Sequence, residues 1–465
     1  MKITFHGAAQ NVTGSKHIVS TADKQILLDC GLFQGRRSLA YELNSRLPFD
    51  PSSLDAAILS HAHADHCGLI PLLVKNGFSN KIYATPATAD ISRLIMLDSA
   101  KLQTEDFRHL TEQGEKPLPP LYDEQDVENA CSHFEETVYF RTLSQWTALS
   151  PNLRFKFYDA GHILGSAVTV IESDEREGKK RLLFTGDLGN PHVPILHDPE
   201  PITEPIDAII TECTYGDRNH KPIGDAEKVI EEIVNDAVRN KKKIIVPAFA
   251  LGRTQQFIYT LHLLHNQGKI PAFPIYIDSP LSNKITEVFR KYDNDFDTEA
   301  WRDFLSHNES PFSFDMLKYV SSPAESKALN KLEGPFMVIA SSGMAEGGRI
   351  LHHLEHHIWD ERSIVILTGF QAEHTLGRKL QEGATHVSVY GRSHEVKARI
   401  VTINEFSAHA DQTALLGYIT ALTGLKKVFL VHCEPGPAEA FQRVLSERAP
   451  ALEIIIPKTR ESYIL

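Results

Sequence analysis

The feature that most restricts this chain is six residues long: His61-Ala62-His63-Ala64-Asp65-His66. Three imidazoles and a carboxylate fall within one short segment, directly after the apolar run 56–59. Imidazole and carboxylate suit zinc, and two close ions need ligands of this kind from one tight loop. The segment follows a strand signal and opens a helix signal, which sets it apart from a His-rich surface loop.

The same arrangement recurs along the chain. The apolar run 182–184 leads to Asp187, 208–210 to Glu212, and 428–431 to His432. Runs this short and this sharply bounded read as buried strands. Each brings a polar residue to a strand's end, where open sheets build their sites. His162 lies in Ala-Gly-His-Ile-Leu-Gly-Ser, whose glycines let backbones approach closely. A lone His or Asp after a strand is ordinarily structural. Together with the 61–66 segment, His162, Asp187 and His432 fit one metal site.

The middle of the chain alternates strand and helix signals. Residues 243–246 precede a helix after Gly252, Phe336–Ala340 precedes one near Arg349–His357, and 363–367 precedes one near Leu376–Gln381. This alternation predicts βαβ units around a parallel sheet. We read 207–400 as a separate α/β domain, with 1–206 and 401–465 as two parts of another. Residues 86–148 read as a helical, polar decoration of the first part.

Composition narrows the class. The 465 residues are 42% hydrophobic and 23% charged, ordinary for a globular chain. The N-terminus lacks a secretory h-region, and no apolar run reaches membrane-spanning length, so a soluble cytoplasmic protein without a membrane partner is expected. Five cysteines, an odd number with no CxxC pair, argue against a disulfide framework or a thiolate zinc site. The net charge of −12 argues mildly against a nucleic-acid partner. A local basic groove or bound metal overrides a global sign.

In order, Asp29 in Leu-Leu-Asp-Cys-Gly, the His61–His66 segment, His162 and Asp187 resemble the metallo-β-lactamase superfamily. The resemblance implies an α/β fold, an αββα sandwich. It also implies two Zn2+ per chain, one held by His61, His63 and His162, the other by Asp65, His66 and His432, with Asp187 bridging. Mn2+ is an alternative that such ligands also accept. Asp29 would orient the ligand loop through hydrogen bonds. Two ions would lower the pKa of a bridging water and steady the attacking and leaving oxygens.

The zinc ligands alone do not choose among thioesters, lactones, lactams and phosphodiesters. The long interval between Asp187 and His432, filled by the α/β segment, resembles the β-CASP subgroup of nucleic-acid-processing nucleases. Glu212 in Ile-Ile-Thr-Glu-Cys-Thr-Tyr-Gly, His409 in Phe-Ser-Ala-His-Ala-Asp and His432 in Leu-Val-His-Cys-Glu match three further motifs of that subgroup. His at the third of these is the RNA-acting pattern. By resemblance His409, held by Glu212, is the general acid, and Asp65 joins them as a catalytic residue. A phosphodiester's leaving oxygen needs such an acid, and histidine's natural pKa suits it. Ser341, Ser342 and Gly343, with Arg253 and Arg378, resemble substrate-contacting loops; simple turn chemistry and surface arginines are the bland alternative.

These readings predict a zinc-dependent, mainly endonucleolytic ribonuclease of single-stranded RNA, acting through a metal-bridging hydroxide. The alternatives are a 5′→3′ exoribonuclease, a DNA nuclease, a small-molecule hydrolase and a metal-free RNA-binding scaffold. A homodimer is open. The chain starts in the fold and ends soon after His432, which favours a compact, stand-alone bacterial type. It departs from the family at His374 and Cys433, where glycine is frequent. Cys30, Cys67, Cys213 and Cys433 each follow a motif residue, which reads as tight apolar packing behind the site, with oxidant sensitivity as a second reading.

Overall fold

The computed structural model describes residues 1–35, 37–114, 116–139, 145–369, 371–372, 374–403 and 405–465. They form two compact units. The first is Met1–Pro191 with Asp198–Asn219 and His409–Leu465; the second is His192–His197 with His220–Ala408.

The first unit contains two seven-stranded sheets. In one, the order is Ser462–Ile464, Lys2–Phe5, His17–Ser20, Gln25–Leu28, Ala56–Ile58, Ile82–Ala84 and Phe134–Glu136. In the other it is Glu453–Ile455, Lys427–Val431, Ala208–Glu212, Gly178–Phe184, Ala167–Glu175, Leu153–Asp159 and Thr147–Ser150. Strand side chains alternate between faces, and here both faces are apolar. Ile3, Phe5, Ile26, Leu28 and Ile58 of the first sheet bury against Phe155, Phe157, Leu182, Phe184, Ile210 and Phe429 of the second. The opposite residues, such as Leu27 and Ala57, pack on Ile70, Leu73, Met96 and Val127 from helices. Ile209, Val428 and Leu430 likewise pack on Leu415, Ile419, Phe441 and Leu445. The result is the αββα sandwich the sequence implied.

The strands that carry the polar residues are parallel and in register. Phe184 pairs with Ile210, Ile210 with Phe429, and Glu212 with Val431. Their carboxyl ends therefore form one rim, which places Asp187, Glu212 and His432 side by side.

The stretch 86–148 differs from expectation. Helices Pro86–Glu112 and Glu124–Cys131 are present, but Phe134–Glu136 and Thr147–Ser150 are strands that complete the two sheets. Helix Pro86–Glu112 also buries Ala87, Ile91, Met96 and Ala100. Apolar residues at helical spacing make it a layer of the sandwich rather than an appendage. Residues 140–144 of that stretch lie outside the described residues.

The second unit holds a six-stranded sheet, every pair parallel: Leu317–Tyr319, Ile275–Ile277, Phe336–Ala340, Lys243–Pro247, Ser363–Thr368 and Arg399–Ile403. Its connections include helices Arg253–Asn266, Arg349–His357 and Leu376–Gln381. Val338, Val365 and Leu367 of the sheet pack on Ile350, Leu354 and Leu380 of the helices. The units divide the chain a little beyond the boundaries expected at 206 and 400. Ala208–Glu212 is hydrogen-bonded into the first unit's sheet, and Arg399–Ile403 into the second's. The ends of the first unit's chain flanking the insertion are tied together: Gln412 N–H donates to Arg218 O at 3.1 Å, and Thr413 Oγ1 to Asn219 Oδ1 at 3.0 Å. No helix among the described residues is long and apolar enough to cross a membrane.

Candidate metal centre

The strand Ala56–Ile58 ends three residues before His61, and the short helix Ala64–Cys67 starts directly after His63. The loop between is pressed against the turn after Leu28. A Cβ on Gly31 would lie 1.5 Å from Asp65 O, so glycine alone permits this approach. Two backbone hydrogen bonds tie the two segments, Cys30 N to His66 O at 2.8 Å and Leu32 N to Ala64 O at 2.9 Å, and Ser15 N adds a third contact to the loop by donating to Asp65 O at 2.8 Å.

Asp29 supports this loop from behind. Its Oδ1 accepts from Ser60 N at 2.8 Å, and its Oδ2 from Ser60 Oγ at 3.0 Å and Ser15 Oγ at 3.2 Å. His66 Nδ1 lies 2.7 Å from Asp29 Oδ2 and donates to it. The other ring nitrogen, Nε2, then points to Asp187 Oδ1 at 3.3 Å.

Two clusters of side chains that could hold metal result. His61 Nε2 and His162 Nε2 stand 3.1 and 3.2 Å from His63 Nδ1, and 3.4 and 3.5 Å from Asp187 Oδ2. Asp65, His66 and His432 form the second, with His432 Nε2 3.4 Å from Asp65 Oδ2. Asp187 turns Oδ2 to the first cluster and Oδ1 to the second, where it lies 3.6 Å from His432 Nδ1. Gly189 allows the Asp187 loop to meet the His162 loop, since a Cβ there would lie 2.1 Å from Gly161 O.

This donor set fits a pair of divalent cations. His63 Nδ1 faces two other ring nitrogens, and one hydrogen serves only one of them; a cation satisfies all the lone pairs. His66 Nε2 and Asp187 Oδ1 are buried and have no hydrogen-bond partner among the described residues, a cost that native proteins seldom leave uncompensated. The electrostatics agree. Burial, helped by His61, pushes His63 down to about 3, so it stays neutral and able to ligate. Burial resists charge on His432 as well, but Asp187 and Asp65 draw it up to about 9, the mark of an uncompensated negative field.

His409 stands beside these clusters. Its Nδ1 lies 2.9 and 3.0 Å from the two oxygens of Glu212, which is fully buried at the end of its strand. Burial opposes charge on the ring, yet the Glu212 carboxylate and then Asp187 raise its pKa. Its ring centroid is 4.6 Å from that of His162. His409 also falls in two metal-capable groups, with Asp187 and His432 and with His162 and Glu212.

The five residues expected to contact substrate belong to the second unit. Ser341 Oγ is 2.5 Å from Ser279 Oγ, and Ser342 Oγ accepts from Glu346 N at 3.1 Å. Gly343 O accepts from Gln371 Nε2 at 3.2 Å. The helix that follows spans Arg349–His357, where the sequence placed it. Arg253 opens its helix and donates to Gln256 Oε1 at 2.9 Å. Arg378 sits inside its helix and is paired with Glu382 at 2.6 Å. His374 is exposed with φ 69°, a conformation glycine favours, which accounts for glycine being frequent there but not for the histidine.

The four motif-adjacent cysteines are buried in the two outer cores. Burial pushes the Cys30 thiol up to about 12 and raises Cys67 and Cys213 further from reactivity. That matches the packing reading. Sequence reasoning missed Ser60 and Thr214, whose hydroxyls link site residues. Their only signal was place: Ser60 adjoins the His61–His66 segment and Thr214 lies inside the Glu212 motif.

A two-sheet sandwich with seven clustered His and Asp side chains able to bind metal at its rim defines a metal-dependent hydrolase of the metallo-β-lactamase class. Comparison with known families agrees: residues 18–184 match the Metallo-beta-lactamase superfamily domain, 254–380 the Beta-Casp domain, and 393–457 the Zn-dependent metallo-hydrolase RNA specificity domain. Ribonuclease TTHA0252 of Thermus thermophilus is 34% identical over 98% of both chains. The RNase J-like protein of Methanocaldococcus jannaschii is 32% identical over 93% of this chain and 92% of its own, and the same organism's Transcription termination factor FttA is 29% identical over 93% and 67%. A crystal structure of a protein of unknown function from Enterococcus faecalis V583 shares the fold, with TM-score 0.54 and 14% identity, covering 100% of this chain and 99% of that one. The chain belongs to the β-CASP ribonuclease subgroup of the metallo-β-lactamase superfamily.

Proposed function

We propose that this protein cleaves single-stranded RNA internally, with two zinc ions bound by His61, His63, His162, Asp65, His66, His432 and the bridging Asp187. When bound, the ions supply a nucleophile at neutral pH and charge stabilisation for an in-line displacement. The observation that carries the reading is the contact of His409 Nδ1 with both oxygens of buried Glu212. With Nδ1 committed, Nε2 is the atom that delivers a proton to the departing 3′ oxygen. Glu212 fixes the ring's plane and favours its charged form. Asp29 keeps His66 in the tautomer that presents Nε2. The ribonuclease names of the relatives and the RNA specificity domain support RNA as the substrate.

The test is zinc-replete protein with 5′-labelled single-stranded RNA and its DNA counterpart, beside His409→Ala. Internal RNA fragments, lost in the variant, are expected. Mononucleotides alone would make it a 5′→3′ exoribonuclease, and cleavage of DNA only would refute RNA as substrate.

A further inference from the structure

Thr214 lies two residues beyond Glu212, and its single hydroxyl meets both halves of the centre. Oγ1 is 2.5 Å from Glu212 Oε2, 3.1 Å from His432 Nδ1 and 3.0 Å from His432 O. One hydroxyl proton cannot serve three acceptors. A carboxylate only accepts. Glu212 already receives Leu188 N–H at 2.8 Å and His409 Nδ1–H. The hydroxyl proton therefore goes to Glu212 Oε2, its nearest partner. The Oγ1 lone pairs are left facing His432 Nδ1, and that nitrogen must carry the hydrogen. A neutral ring protonated at Nδ1 keeps its lone pair on Nε2, the atom beside Asp65.

The same logic operates at His66, whose Nδ1 is held by Asp29 at 2.7 Å. Both histidines of the second cluster are thus gripped at Nδ1, one by a carboxylate directly and one through a hydroxyl backed by a carboxylate. Metal-ligating histidines are commonly held in this way, and the partner sets both tautomer and ring orientation.

We propose that Thr214 is a positioning residue that fixes the metal-binding tautomer of His432 and, through the same hydroxyl, the Glu212 rotamer that holds His409. It acts through these side chains and touches neither substrate nor the reacting atoms. The proposal rests on the reading of His432 as a ligand and His409 as the acid. It predicts that metal affinity and proton delivery are coupled through one hydroxyl group.

The experiment compares wild type, Thr214→Val and Thr214→Ser. Metal-stripped protein is titrated with Zn2+ against a chromophoric chelator, with no RNA present, and cleavage kinetics are then measured at saturating zinc. Thr214→Val should bind its weaker zinc about 10–100-fold less tightly, lower kcat and leave KM for RNA near wild type. Thr214→Ser should restore both quantities. Thr214→Ala carries the same test if the valine variant does not fold, with melting of the metal-free proteins as the check. Wild-type zinc affinity in Thr214→Val would overturn the proposal. So would a serine variant as impaired as valine, because the methyl group would then be what matters. Wild-type protein that binds two zinc ions but leaves RNA intact would refute the proposed function, while the zinc titration would still decide the role of Thr214.

Discussion

Glutamine in place of Glu212 preserves shape and removes charge, which makes Glu212→Gln a direct probe of the site. Three donors lie within 2.9 Å of this buried carboxylate, Leu188 N at 2.8 Å, Thr214 Oγ1 at 2.5 Å and His409 Nδ1 at 2.9 Å, with Thr214 N farther off at 3.4 Å. A carboxylate accepts all three. An amide offers one oxygen and turns its NH2 group towards at least one donor. A buried polar group left in that state costs about 1–3 kcal/mol. For a unit of this size that lowers Tm by roughly 2–6 °C. The catalytic effect should be larger. Positioned acid–base catalysis contributes about 10²–10⁴-fold, and the variant loses both the charge that favours the His409 imidazolium and the bond that fixes its plane. The expectation at saturating zinc is a kcat lowered about 100-fold or more, with KM nearly unchanged. Single-turnover cleavage of labelled RNA, paired with thermal melting, reads both quantities. A variant that melts a few degrees lower yet cleaves within a few-fold of wild type would refute the idea that Glu212 acts through His409.

Three further outcomes test the same reasoning. Asp187→Ala removes an oxygen from each cluster, so metal analysis of the purified variant should find less than the wild-type stoichiometry; full retention of two ions would exclude Asp187 as a bridge. Asp29→Asn replaces an acceptor that His66 Nδ1, Ser60 and Ser15 share, and should weaken zinc binding about 10–100-fold, as read by chelator competition; unchanged affinity would count against its role. His357 tests pH dependence away from the candidate metal centre. Its ring is buried, both nitrogens lack hydrogen-bond partners among the described residues, and burial, then Lys243, lower its pKa to about 3. The unfolded chain takes up the proton first, so stability is lost as pH falls from about 6.5 towards the folded pKa, by an amount on the order of a few kcal/mol. In His357→Leu that part of the acid dependence should disappear from denaturation curves recorded between pH 7 and 4; identical slopes would refute it.

What the sequence revealed follows from how sheets are read. In a parallel strand buried on both faces, nearly every residue is apolar, so the first polar residue marks the carboxyl end. Phe184, Ile210 and Phe429 lie in register at the buried, parallel-paired ends of three strands, and Asp187, Glu212 and His432 therefore share a rim although more than half the chain separates the first from the last. The pattern was legible because each strand carried it independently. The ends of the 86–148 stretch were not, since Phe134–Glu136 and Thr147–Ser150 are edge strands with half-exposed, mixed side chains that carry no such signature. The hydroxyls of Ser60 and Thr214 were hidden for another reason. Their importance depends on which lone pair faces which hydrogen, and residue type does not encode that.

That distinction bears on how this centre works. The ligands are placed by strand register, which large cores on both faces of each sheet hold rigid. In the proposed arrangement the tautomers of His66 and His432 are set by small contacts behind them, at Asp29 and Thr214, with Ser60 bonded to Asp29. A ligand substitution removes a donor and is felt at once in metal content. Changing one of the supporting groups leaves every ligand in place and alters which nitrogen carries the proton. Its effect should therefore appear as weakened zinc affinity with little loss of fold, and at Thr214 as a lower kcat as well, because the Glu212–His409 pair shares that hydroxyl. If Asp29→Asn and Thr214→Val both weakened zinc binding but only the second slowed cleavage at saturating zinc, the two supports would be shown to have different jobs despite holding equivalent nitrogens. Equal slowing by both would mean that the acid is governed by the metals and that the Thr214 connection to Glu212 carries nothing of its own.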